Sequence, residues 1–169
     1  RLDALQAAVL NVKLPKLSDW IASRRDVAKR YQETLNGLNG IELPLHDYDN
    51  KVLHGWNQFV VRVKRFPSKK ESKCEELKLL SGKPNLLPKS TNSRDELQIG
   101  LRQQGINTII YYPIPIHLQE ASKYLKYKRG DFPVAEKMAK SSMSLPVHEF
   151  IKEKDIKYVA NLIAYFYNK

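Results

Sequence analysis

The sequence predicts an α+β fold: a small antiparallel sheet with helices packed on one face. Three observations predict it. Apolar residues recur at helical spacing toward both ends, and short β-branched and aromatic runs stand between them. The 169 residues, 42% of them hydrophobic, suffice for one core with an appendage but not for two full domains.

Leu2, Leu5, Val9 and Val12 define a first helix, which Pro15 stops or kinks. Leu17, Trp20, Ile21, Val27, Ala28, Tyr31 and Leu35 form the apolar stripe of a second, closed by Asn36-Gly37 and Asn39-Gly40. "GIELPL" reads as a short strand and "HGWNQFVVRVKRF" as a longer one. In the longer strand Asn57, Phe59, Val61 and Val63 make the apolar face, opposite Trp56, Gln58, Val60 and Arg62. "SRDELQIGLRQQGI" is a helix with Ser93 and Glu96 as a capping box, Leu97 and Leu101 inward and Gly105 as its stop. "INTIIYY" predicts the next strand. Asp131 and Pro133 open a short helix through "VAEKMAKSS", with Phe132, Val134 and Met138 expected to pack on the sheet. "LPVHEF" turns the chain into a last helix, with Ile156, Val159, Leu162, Ile163 and Phe166 as its apolar face.

The net charge of +11 favours anionic partners such as nucleic acid, a membrane surface or phosphorylated small molecules. From Lys64 to Arg94 nine Lys/Arg face three Glu, a local +6. Residues 67–92 are expected to form a basic, mobile insertion, because so long a connection is uncommon inside a compact domain. No run is apolar enough over about 18 residues to span a bilayer. Cys74 has no second cysteine to pair with, which suggests a reducing, cytoplasmic setting. The chain begins at Arg1 in what reads as the middle of a helix, so it is expected to be a piece of something longer.

Familiar catalytic motifs are missing from the sequence. There is no Gly-rich phosphate loop, no His-Glu-x-x-His and no cysteine pair, so neither a P-loop enzyme nor a metal site is expected. His46, His54, His117 and His148 are scattered, and such residues more often serve the surface or core than a ligand. His117 stands apart, because Pro113 and Pro115 stiffen the backbone just before it in "YYPIPIHLQ". A stiff segment can present side chains with little entropy to lose on binding; equally, it can be a rigid exit loop that merely packs.

Four blocks, "RLDALQAAVLNVKLPKLSDWIASRRDVAKRYQETL", "HGWNQFVVRV", "RDELQIGLRQQGINTIIYYPIPIHLQEA" and "GDFPVAEKMAKSSMSLPVH", resemble in order and spacing the C-terminal part of the DegT/DnrJ/EryC1/StrS aminotransferases. That family uses pyridoxal 5'-phosphate to aminate keto-sugars carried on nucleotides. The resemblance implies that residues 1–169 are the small C-terminal domain of a fold-type I transferase, with 67–92 departing from the family pattern. It implies that the cofactor-binding large domain, with its Schiff-base lysine, precedes Arg1. This piece alone is then expected to hold no cofactor, to supply no catalytic residue and not to transaminate.

By the same resemblance, Arg1 matches the arginine that reaches the cofactor phosphate of a neighbouring subunit in a homodimer. Tyr112, His117 and Gln119 fall in the loop beside the sugar nucleotide, with an amino acid as amino donor. Two other readings stand beside this one. The chain could be a stand-alone basic module for nucleic acid or an acidic protein, although its basic run lacks interleaved aromatics and matches no nucleic-acid-reading motif. It could also be an inert truncated remnant.

Overall fold

The computed structural model describes residues 2–44, 53–64 and 93–167. Arg1, His46, Cys74 and the basic segment 67–92 lie outside the described residues.

Helix α1 (Ala4–Lys13) is capped by the Asp3 carboxylate, which accepts from the Leu5 amide at 2.8 Å. Pro15 does not end the helical path but tightens it into a 3-10 turn over Leu14–Lys16, from which α2 (Leu17–Leu35) continues. None of α1 is buried, and Leu2, Leu5, Val9, Leu10 and Val12 are all exposed. The apolar stripe of α2 is buried only in its second half, at Val27, Ala28, Tyr31 and Leu35.

Strand β1 (Ile41–Glu42) pairs antiparallel with β2 (Phe59–Val63), which pairs antiparallel with β3 (Ser142–Leu145). The sheet order is β1-β2-β3. On β2, Phe59, Val61 and Val63 are buried, and on β3 so are Met143 and Leu145. Across the core side of this sheet lie α2, α3 (Ser93–Gln103) and α5 (Glu153–Tyr167), contributing Leu97, Leu101, Ile156, Val159, Ile163 and others to one apolar cluster. Tyr31 sits at its centre, and its hydroxyl donates to the Pro146 carbonyl at 3.1 Å. Arg30 ties α2 to α5 through Glu153 at 2.9 Å. The fold is α+β with an antiparallel sheet, as predicted.

Three details differ from the sequence-based expectation. The third strand is not "INTIIYY" but Ser142–Leu145, and it follows α4 (Pro133–Ser141) rather than preceding it. Residues 106–112 make only one bridge, Ile109 to Ser144, because Ile109, Tyr111 and Tyr112 remain exposed and there is little burial to hold them in a ladder. Second, β2 starts at Phe59. Trp56 takes φ of 43°, which breaks the alternation, so Trp56 is buried against Phe59 at 5.4 Å while Asn57 is exposed. Third, Phe132, Val134 and Met138 do not pack on the sheet. All three are exposed, Phe132 just before α4 and Val134 and Met138 on it.

Candidate functional site

Gly105 ends α3 with φ of 78° and starts the stretch that reaches the two prolines. Pro115 is extended, with φ of −58° and ψ of 147°, and two 3-10 turns follow at Ile116–Leu118 and Glu120–Leu125. The double-proline turn lies at the surface, with Pro113 exposed and Pro115 half-buried. It forms one wall of a cavity of about 500 Å³. Tyr111, Tyr112 and His117 come from this wall, and Tyr127, Phe132 and Met138 face them from the turn before α4 and from α4 itself.

His117 is the polar group of this otherwise apolar and aromatic cavity, and its side chain is only 8% exposed. Its ring stacks at a tilt on Phe132, with centroids 4.8 Å apart, and Phe132 meets Tyr127 edge-on at 4.9 Å. The imidazole Nε2 lies 3.1 Å from Glu136 Oε1. A carboxylate only accepts, so Nε2 carries the hydrogen and Nδ1 is left as the variable atom. The same Oε1 accepts the Gly130 amide at 2.6 Å, which the turn offers because Gly130 adopts φ of 101°. The Gly130 amide first, and then His117, hold the Glu136 carboxyl below the usual carboxylate range. Glu136 thus clips the two walls of the cavity to α4.

A carboxyl with a depressed folded-state pKa adds stability above its unfolded value of about 4.3 and loses it as pH falls through the lower folded value. We expect acid to weaken this clip as pH falls below the ordinary glutamate range. Glu136→Gln should flatten that acid limb in a pH series of melting temperatures, with little change in its slope above neutrality.

The cavity brings together two of the residues singled out by sequence. Tyr112 stands at its mouth, 68% exposed, and His117 lies within it. Gln119 does not line it: its Nε2 donates to the Ile114 carbonyl at 3.2 Å, folding the side chain back on its own loop. Arg1 lies outside the described residues. His54 and His148 each accept a backbone amide two residues on, from Trp56 at 3.0 Å and Phe150 at 3.2 Å, so both stabilise turns. Sequence reasoning missed Tyr111, Tyr127, Phe132, Met138 and Glu136. Among the described residues no group of three or more His, Cys, Asp or Glu side chains could hold a metal ion. No described helix is long and apolar enough to cross a membrane.

An antiparallel three-stranded sheet backed by helices, with an aromatic cavity beside it, makes a small α+β domain. The profile of the DegT/DnrJ/EryC1/StrS aminotransferase family matches residues 1–81 and 80–164, and the chain belongs to that family. It is 37% identical over 99% of its length to the pleiotropic regulatory protein of Geobacillus stearothermophilus, covering 37% of that protein. It is 33% identical over 87% of its length to a dTDP-3-amino-3,4,6-trideoxy-alpha-D-glucose transaminase of Streptomyces venezuelae, covering 31% of it. The crystal structure of S. venezuelae DesV in complex with a ketimine intermediate superposes on the whole chain with a TM-score of 0.79 at 30% identity. The chain spans 38% of that structure, so it corresponds to little more than a third of such relatives.

The family's aminotransferases depend on pyridoxal phosphate. That coenzyme needs a desolvated amine to hold its aldehyde. Every lysine among the described residues is exposed to solvent, so these residues do not fit the coenzyme's Schiff-base position.

Proposed function

We propose that these residues are the C-terminal small domain of an aminotransferase that transfers an amino group from an amino acid to a nucleotide-linked keto-sugar. The observation that carries this reading is the family match over nearly the whole chain, joined to its similarity to a dTDP-sugar transaminase. The amine that holds the coenzyme comes from a segment outside these residues, and the aromatic cavity is the part of the substrate site that this chain supplies. Aromatic faces suit the apolar side of a sugar ring, and the Nδ1 atom of His117 gives it one hydrogen-bonding partner.

The test is the protein encoded by the extended reading frame, incubated with a dTDP-linked keto-sugar and glutamate. Mass spectrometry should detect the amino sugar, and the 169-residue chain alone should make none. A full-length protein that binds pyridoxal phosphate but aminates no nucleotide keto-sugar would overturn the reading.

In this proposal the exposed apolar face of α1 packs on the missing large domain and a second subunit. Large contiguous apolar patches drive self-association when left uncovered. The isolated chain should therefore sediment as a dimer or larger species, and Leu5→Glu with Val9→Glu should shift it to monomer without changing its far-UV circular dichroism. A monomeric parent chain across a wide concentration range would contradict this.

A further inference from the structure

We propose that a second cavity, between β2, the start of α3 and α4, binds a small phosphate-bearing anion of the diphosphate class. The cavity measures about 620 Å³, ample for such a group. Arg62, Lys64, Arg94, Lys137 and Lys140 line it, against one carboxylate, Glu136. The partners of these cations show which charges are spoken for. Arg94 gives its Nε to Asp95 and its Nη1 to two backbone carbonyls, and Glu136 is occupied by Gly130 and His117. Among the described residues Glu42 serves both Arg62, at 3.0 Å, and Lys64, at 2.7 Å, and feels the charge of Lys137 as well, while the Nε of Arg62 is left without a partner. Lys137 and Lys140 have no ion pair among the described residues, and both are exposed. Five cations against one carboxylate in the lining favour an anion seated among them.

The guanidinium and ammonium groups suit phosphate oxygens. Among the described residues no aromatic side chain lines the cavity, so these residues offer no stacking platform for unpaired bases. A compact polyphosphate suits it better than a nucleic-acid strand. The inference does not depend on the proposed aminotransfer, because the cavity shares no lining residue with the aromatic one.

Isothermal titration of the whole chain with pyrophosphate, and separately with uridine diphosphate, tests it. Saturable binding of one diphosphate per chain, weakening as salt rises, is expected. Lys137→Glu with Lys140→Glu should weaken it by about tenfold or more, while Lys137→Arg with Lys140→Arg should retain it. Thermal unfolding of both double variants verifies that they fold. Equal affinity for the two ligands identifies the diphosphate group itself, and tighter uridine diphosphate identifies a nucleotide source; both support the site. Undiminished binding by the folded charge-reversal variant overturns it. So does a single-stranded oligonucleotide that binds the same lysines more tightly than pyrophosphate.

Discussion

Arg94→Ala is expected to lower the unfolding free energy by about 2–5 kcal/mol, from buried acceptors that each cost about 1–3 kcal/mol when left unsatisfied. The guanidinium is 4% exposed and donates to the carbonyls of Ala139, at 3.0 Å, and Ser142, at 2.9 Å. These carbonyls lie at the C-terminal end of α4 and the first residue of β3, so one side chain from the first turn of α3 caps a helix and anchors a strand. Its third contact, Asp95 at 2.6 Å, adds less to the loss, because Asp95 is 29% exposed and water can rehydrate it. At about 2–4 °C per kcal/mol for a domain of this size, the drop is easily read in thermal unfolding. Arg94→Lys should recover only part of it, since one ammonium cannot reproduce the planar fork. An Arg94→Ala variant as stable as the parent would show that the link between α3 and α4 is not what holds β3 in place.

Arg94 also marks the boundary of what could be read from the chain. The helices were legible because their apolar positions repeat with the helical period, and Leu97, Leu101, Ile156 and Ile163 are all buried where that period puts them. The core face of β2 was legible by alternation. Ser142–Leu145 was not, because "SMSL" is short and half polar, and its strand character comes from pairing Met143 with Val61 and Leu145 with Phe59. Conversely, "INTIIYY" carries strand-forming residues, yet Ile106 packs into the core, Ile109 makes a single bridge to Ser144, and Tyr111 and Tyr112 line a cavity instead of a ladder. Local propensity names what a segment can do; its partners decide what it does. The candidate site divides in the same way. Pro113 and Pro115 flag His117 from the chain alone, whereas Glu136 lies 19 residues further on and meets it only through the fold.

His117→Ala in the full-length protein is expected to reduce kcat/KM for the nucleotide sugar by about 10- to 150-fold, the equivalent of one hydrogen bond to a charged or polarised group at about 1.5–3 kcal/mol. The expectation rests on the proposed function and on two structural features. The ring is immobilised between Phe132 and Glu136, so little entropy is lost when a ligand meets it, and its Nδ1 is the atom left over after Glu136 takes Nε2. The split between kinetic constants distinguishes the roles. If imidazole binds ground state and transition state alike, KM rises with kcat unchanged; if it acts only on the transition state, kcat falls. Glu136→Gln should reproduce part of the loss, because an amide can present its NH₂ group to Nε2 and favour the wrong tautomer, whereas Phe132→Leu should raise KM alone. His117→Asn, which keeps a polar group near the Nδ1 position, should recover more activity than His117→Ala. Unchanged KM and turnover in His117→Ala would remove His117 from the substrate site and leave the Glu136 clip as its whole purpose.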